Sequence, residues 1–458
     1  MREADGDRRL AEDLAEKCAA MRGRVYYVGG CVRDELLGIE SKDVDVEVHG
    51  LTPEQLETVL EGLGSFLTVG RSFGVYGIRG HDLDIAMPRK EKRTGRGHRD
   101  FSVDVDPFIG PEKAAMRRDF TVNAIMKDVL TGELTDPFGG RKDLENRVLR
   151  CVSAETFPED PLRVLRAAQL AARFEMTVEP ETEELCRRIS LDALSPERVM
   201  EELRKALLKA SKPSIFFRVL RRMDALDCWF PEVRDLIGVP QRADMHREGD
   251  VWEHTLMVLE EAAAFRGRTE NDLALMLAAV THDMGKAVCT RTAGGIVHAY
   301  GHETAGLAPA ERFLRRLTSE KQLIRLVLNL TELHMKPNAE AAAQVPEKTT
   351  NRMFDRCLAP EALLALAAAD DRGRIADGPV TDHGPFLRKR LEVYREIMRR
   401  PHVKGEDLIR AGLTPGPAFT DALAYAHRLQ LAGIGREEAL KQTLGHAGAG
   451  KAKGKTQT

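Results

Sequence analysis

The chain has 458 residues, 43% hydrophobic and 31% charged, with 69 basic against 72 acidic side chains and a formal net charge of −3. That length suits about three domains with a sizeable buried core. The balance of charge excludes a globally basic nucleic-acid binder, so an RNA partner needs a local basic patch. Residues 1–24 are charged and helical in pattern, without the apolar centre of a signal peptide, and no 18-residue apolar run follows. Both facts predict a cytoplasmic protein. The cysteines at 18, 31, 151, 186, 228, 289 and 357 form no CxxC pair, which argues against a disulfide framework or a thiolate zinc site.

Short β-branched runs follow the N-terminal helix: "RVYYVGG", "DVDVEVHG", "SFLTVG", "VYGIRG" and "HDLDIAM", interrupted by the helical "TPEQLETVLEGL". They predict a small α/β head over 25–143, closing near "TDPFGGRKD". From Leu144 the strand signal fades and amphipathic stretches such as "DPLRVLRAAQLAARF" and "SPERVMEELRKALLKA" predict a helical neck and body to about 240. The polar, Pro- and Gly-rich "FPEVRDLIGVPQRADMHREGD" reads as a linker. A histidine-rich helical region over 241–400 and C-terminal helices from 401 complete the expected multidomain α+β chain, and the basic tail "GHAGAGKAKGKTQT" reads as disordered.

The chemistry starts in "VGGCVRDELLGIESKDVDVEV". Alternation along a strand puts Asp43 and Asp45 on one face, about 6.6 Å apart along the chain. Such a pair suits hard cations, and two Mg²⁺ ions about 4 Å apart activate a hydroxyl and neutralise a leaving pyrophosphate. Asp84 in "DLDIAM" is the candidate third acid, with Asp82 less favoured. Gly29 and Gly30 let backbone approach phosphate ahead of a helix N-terminus. Taken alone, "DVDVEV" could equally be a solvated strand face.

These residues carry a resemblance. "GGCVRDELLG…KDVDVEV", "RRDFTVNA" at 117–124, "DPFGG" at 136–140, "EDPLRVLRAAQLAARF" at 159–174 and "SPERVMEEL" at 195–203 resemble, in order, the motifs of the class II tRNA nucleotidyltransferases, or CCA-adding enzymes, and the related bacterial poly(A) polymerases of the polymerase-β superfamily. The resemblance implies that Asp43, Asp45 and Asp84 are catalytic, with Asp43 and Asp45 holding Mg²⁺. It implies nucleotide contacts by Gly30, Arg33, Arg117, Arg118, Asn123, Asp160, Arg163 and Arg166. It also implies that Asp160 and Arg163 read the base edge of CTP or ATP without a nucleic-acid template. Taken as one helical turn, Glu159, Asp160 and Arg163 can face one ligand; the plain alternative is an i,i+3 ion pair. The basic "PRKEKRTGRGHRDF" at 88–101, with Lys90, Lys92, Arg93, Arg96 and Arg99, resembles the loop that switches such enzymes from C to A addition.

Further along, "THDMGK" offers adjacent His282 and Asp283, "DVWEHTLMV" offers His254 and "AAADDRGR" offers Asp370, with Asp371 as neighbour. One nitrogen and one oxygen donor side by side, completed by a remote His and Asp, suit a divalent metal. The H…HD…D order resembles the HD phosphohydrolases, and His302 and His334 fall where two-metal members place further ligands. Phosphohydrolysis of 2′,3′-cyclic phosphates or 2′-nucleotides is implied, with the metal's identity open.

Only 5% of residues are aromatic, so tRNA recognition by shape and backbone is expected, through basic runs such as "LRKALLKASK". The leading expectation is therefore CCA addition to tRNA from CTP and ATP. The alternatives are an A-adding enzyme or poly(A) polymerase, or an HD hydrolase whose N-terminal half only binds RNA.

Overall fold

The protein is described from a computed structural model covering residues 2–40, 44–68, 74–93, 101–375 and 381–453. It divides into two compact units, Met1–Trp229 and Phe230–Thr458. Among the described residues no helix is long and apolar enough to cross a membrane.

In the first unit, helix α1 (Arg2–Ala20) precedes strand β1 (Arg24–Val28), helix α2 (Gly30–Leu36) and strand β2 (Val44–His49). Helix α3 (Pro53–Glu61) and strands β3 (Phe66–Thr68), β4 (Val75–Ile78) and β5 (Leu83–Ala86) follow. The sheet runs β3-β4-β5-β2-β1 and continues through Met126–Asp128 to Leu134–Thr135. β2 pairs β5 in parallel and β1 antiparallel. Val44, Val46 and Val48 point from β2 into a core shared with Leu10, Leu14 and Cys18 of α1. The N-terminal helix is therefore part of the head's core, which its apolar spacing supports. The opposite face of β2 carries Asp45, Glu47 and His49.

The 88–101 stretch, expected as a loop, has ordered ends: Arg89–Arg93 pairs antiparallel with Phe101–Val105. Residues 94–100, with Arg96 and Arg99, lie outside the described residues, as do the side chains of Lys90, Lys92 and Arg93.

Two corrections to the sequence reading concern local geometry. Glu159, Asp160 and Arg163 do not share one helix: Phe157–Glu159 is a 3-10 turn, Asp160 is extended and the α-helix starts at Leu162. Pro161 explains this, because the residue before a proline is pushed out of the α region. The tail also differs, since the helix Arg436–Lys453 runs through Gly445–Lys453, supported by its alanines and lysines. Residues 454–458 lie outside the described residues.

The second unit is helical among its described residues, apart from the hairpin Arg291–Ala293 and Ile296–His298. The helices Val251–Ala263, Asp272–Thr281, Lys321–Leu333 and Pro360–Arg372 surround its histidine centre. A separate small core, including Leu408, Ala422 and Ala439, holds the C-terminal helices together.

Candidate active sites

The parallel register sets Asp45 of β2 directly beside Asp84 of β5. Paired residues of neighbouring parallel strands face the same way about 4.8 Å apart, so both carboxylates rise from one face. Asp84 is exposed, and Asp82 precedes the strand without a paired position. Asp43 lies outside the described residues.

Gly29 begins α2 with φ 72°, and a Cβ there would stand 3.3 Å from Arg118 Nη1 and 3.7 Å from Asp45 Oδ2. The turn before α2 thus approaches the acidic face and one arginine of "RRDFTVNA" together. A side chain at Gly29 is disfavoured on both counts, conformation and space.

Arg117 and Arg118 reach this face through a residue that sequence reasoning passed over. Glu47, wholly buried, accepts from Arg117 Nη2 at 2.8 Å and contacts His49 Nε2 at 2.9 Å and Arg118 Nη2 at 3.5 Å. Burial acts to raise the Glu47 carboxyl, but the His49 hydrogen bond and both arginines outweigh it and lower it to about 2. The signal was present in the same alternation, since Glu47 is the third acid of "DVDVEV". Arg118 Nε is buried with no hydrogen bond among the described residues, a donor suited to a phosphate oxygen. Glu47→Ala should cost the first unit about 3–5 kcal/mol, measured by urea unfolding, because two guanidinium groups lose their buried counter-charge. A loss below about 1 kcal/mol would contradict a structural role for this carboxylate. Its pKa is lowered on folding, so its contribution is full above its ordinary value of 4.5 and disappears as the pH falls toward about 2.

Behind these groups the motifs lock into one another. Asn123 donates to Asp119 at 2.9 Å and accepts from Arg33 at 2.6 Å, while Arg166 donates to Asp119 at 2.7 Å. Arg33 is buried, bonded also to Asp34 and packed over Phe174, so it orients Asn123 from the interior rather than lining an open surface. Gly140 of "DPFGG" lies so close to the Thr121 carbonyl that a Cβ would come within 2.1 Å of its oxygen, and Asp136 accepts from the Gly140 amide at 2.7 Å. This motif acts as packing that fixes the Thr121–Asn123 turn. The side chains of Asp160 and Arg163 go to different partners. Asp160 accepts from Arg198 at 2.8 Å, whereas Arg163 donates to the carbonyls of Thr156 at 2.7 Å and Arg117 at 2.5 Å. Arg198 belongs to "SPERVMEEL", a segment recognised in the sequence without this residue being singled out.

In the second unit six predicted residues converge. His254 Nε2 lies 3.0 Å from Asp370 Oδ1, and His282 Nε2 lies 3.3 Å from Asp283 Oδ2. His302 Nε2 lies 3.3 Å from both Asp283 Oδ1 and His334 Nε2. Two adjoining groups of potential ligands result, His254–His282–Asp370 and Asp283–His302–His334.

The tautomers fit a metal. His282, His302 and His334 each direct Nδ1 to the carbonyl three residues back, Ala279, Ala299 and Thr331, at 2.9, 2.9 and 2.7 Å. A carbonyl only accepts, so each Nδ1 carries a hydrogen and each Nε2 is turned to the centre, where the neutral ring offers its lone pair. His302 and His334 turn their Nε2 atoms toward each other at 3.3 Å, an arrangement that a shared cation would suit. His282 Nε2, fully buried, makes no hydrogen bond among the described residues. His254 is oriented instead by Glu248, 3.0 Å from its Nδ1. Burial opposes its charge, but Asp370 and Glu248 push His254 up to about 9, while burial and His282 pull His334 down to about 4. Burial would raise Asp283, yet Lys286 and His282 hold it well below the carboxylate range.

Glu248 and His246 come from the stretch expected to be a linker, which instead carries an orienting carboxylate into this centre. Pro- and Gly-rich polar composition marks irregular backbone, whether it connects domains or wraps a site. Asp371 is turned to Arg374 at 3.0 Å. The glycine of "THDMGK" has a packing role, since a Cβ on Gly285 would come within 1.9 Å of the His302 carbonyl oxygen.

Comparison with known proteins places the chain in a family. The family described as poly A polymerase head domain matches residues 25–150, and the probable RNA and SrmB-binding site of polymerase A matches 175–237. A multifunctional CCA protein of Xanthomonas campestris is 36% identical over 433 residues, covering 92% of this chain and all of the relative. The chain belongs to the multifunctional CCA protein family. Another member, from Stenotrophomonas maltophilia, is 39% identical over 420 residues, covering 88% of this chain and 98% of its own. The fold of this family member is that of solved CCA-adding enzymes. The Thermotoga maritima enzyme complexed with tRNA aligns with TM-score 0.62 at 22% identity, covering 94% of this chain and 93% of its own. A CCA-adding enzyme with CTP aligns with TM-score 0.64 at 21% identity, over 94% and 93% of the two chains. A nucleotidyltransferase head of this kind depends on divalent metal.

Proposed function

We propose that this protein adds CCA to the 3′ end of tRNA from CTP and ATP without a nucleic-acid template, in the cytoplasm. The observation that carries the reading is Asp45 and Asp84 abreast on one strand face, with Gly29 and Arg118 against it. Asp43, Asp45 and Asp84 would hold Mg²⁺, which lowers the pKa of the attacking 3′-hydroxyl and neutralises the leaving pyrophosphate. Arg117 and Arg118 would draw the triphosphate onto the acidic face, their forks held by Glu47. Asn123, fixed by Asp119 and Arg33, would meet the sugar. Asp160 and Arg163 would present an acceptor and a donor to the base edge, Asp160 exchanging Arg198 for the exocyclic amine. The domain limits of this reading are 25–143 for the head, 144–240 for the neck and body, and 241–400 for the histidine centre.

The second unit supports a second activity, phosphohydrolysis at an HD centre of His254, His282, Asp283 and Asp370, extended by His302 and His334. A divalent metal held there supplies a Lewis acid for attack on phosphorus. The protein's own contribution is three histidines oriented by Nδ1 bonds to backbone carbonyls, His254 set between Glu248 and Asp370, and Lys286 beside Asp283 at 2.6 Å as a cation for phosphate oxygen.

The test is incubation with Mg²⁺ and tRNA transcripts ending at the discriminator base, at C or at CC, with CTP and ATP given separately and together and the 3′ ends sequenced. Ordered C, C, A addition that then stops is expected. A alone on the CC-ended tRNA would mean an A-adding enzyme, long A tails a poly(A) polymerase, and no addition an HD hydrolase with an RNA-binding N-terminal half.

A further inference from the structure

A cavity of about 450 Å³ opens in the second unit, and none of the candidate metal ligands lines it. One wall is the helix Pro360–Arg372, which contributes Leu364, Ala365, Ala368, Asp371 and Arg372. These residues recur at helical spacing and so form a single stripe. Asp370, which faces His254, falls on the opposite side of the same helix. Buried Leu387 lines the cavity from the helix Gly384–Met398.

The charge on these walls is unbalanced. Arg372 and Arg388 come from the two helices and Arg268 from the segment after Val251–Ala263, and all three line the cavity. No acid among the described residues forms an ion pair with any of them. Arg372 instead lies over the Phe265 ring, 5.2 Å from its centre, which holds the guanidinium at the wall without neutralising it. The acids of the lining are already engaged. Glu361 meets Arg395 at 2.8 Å, Asp371 meets Arg374 at 3.0 Å, and Asp382 accepts from the Gly384 amide at 2.9 Å. An excess of positive charge therefore converges on one cavity from three separate elements. All three arginines are exposed, so an anion would meet them from solvent without opening the fold.

We propose that this cavity binds a compact polyphosphate, free or as the tail of a nucleotide. The site lies outside both proposed activities, since it shares no residue with the acidic face or the histidine centre. Guanidinium forks take phosphate oxygens two at a time, and forks arranged around one cavity suit an anion that carries several charges in a short length. An RNA backbone spreads its charge along a strand and asks for a groove of cations that tracks it. Phe265 is already covered by Arg372, so phosphate rather than base sets the affinity.

The test is calorimetry of the full chain with inorganic tripolyphosphate, in a chelating buffer that keeps divalent metal out of both centres. Because Arg117 and Arg118 offer the head an anion site of its own, the binding event of this cavity is identified by substitution. Arg388→Ala and Arg372→Ala are each expected to weaken one event about tenfold or more, and the double variant to remove it, because each charge-assisted contact is lost. Both side chains are exposed, so the urea unfolding midpoint should stay where it is. ATP and CTP should compete for the same event, and inorganic monophosphate should bind much more weakly. ATP and CTP tighter than tripolyphosphate would mark the nucleotide tail as the natural form, and the reverse order a free polyphosphate; either keeps the proposal. Binding that neither substitution weakens, or no binding at all, would overturn it. So would a short single-stranded RNA that depends on Arg388 and binds more tightly than tripolyphosphate, which would make the cavity part of an RNA-backbone surface.

Discussion

Asp45→Ala is expected to reduce nucleotide incorporation into tRNA at least a thousandfold, as would Asp84→Ala, whereas Asp82→Ala should retain most activity. The argument is geometric. Asp45 and Asp84 occupy paired positions of β2 and β5, so removing either takes one shared ligand from the set of Asp43, Asp45 and Asp84 proposed to hold two metal ions. Metal stabilisation of a phosphoryl transition state amounts to several kcal/mol, and about 1.4 kcal/mol is tenfold in rate. Asp82 lies outside the strand pairing and has no such position. Labelled CTP incorporation at saturating Mg²⁺ measures the loss. Survival of incorporation in the Asp45→Ala, Asp84→Ala double variant would sink the assignment of this face. Phosphohydrolysis should be unaffected, because the histidine centre belongs to the other compact unit.

The converse result is expected of Asp283→Ala: loss of phosphohydrolysis by at least a thousandfold and of bound metal, with CCA addition retained. Asp283 is the residue through which the two ligand groups adjoin. One oxygen faces His302 and His334 at 3.3 and 3.9 Å, and the other faces His254 and His282 at 3.7 and 3.3 Å. Elemental analysis of the dialysed protein should show the drop. Because the substitution also strips Lys286 of its buried partner, the second unit should unfold earlier in urea. His302→Ala separates these effects. It leaves the Lys286 pair in place and should lower metal content by less. Unchanged metal content in both variants would refute the centre.

Much of this was legible in the residue order. Period-2 acids in "DVDVEV", the order of the motifs and the H…HD…D series need only local patterns, because strand alternation and ligand chemistry are properties of short segments. Residues 1–24 likewise read as helical in pattern. What the helix is buried against, the head core, was decided by the fold.

The tertiary structure determined the pairings. Glu47 looked like one more strand acid until burial brought it Arg117, Arg118 and His49. Asp160 and Arg163 are three residues apart, yet Pro161 breaks the turn between them and Arg198 arrives from a helix dozens of residues later. Glu248 sits in a polar stretch whose composition cannot distinguish a linker from a loop over the histidine centre, and only packing against His254 separates the two. The candidate ligands were named from side-chain chemistry and residue order alone. Their orientation depends on Nδ1 bonds to particular carbonyls and on glycines too crowded for a Cβ, contacts that exist only after the helices have packed.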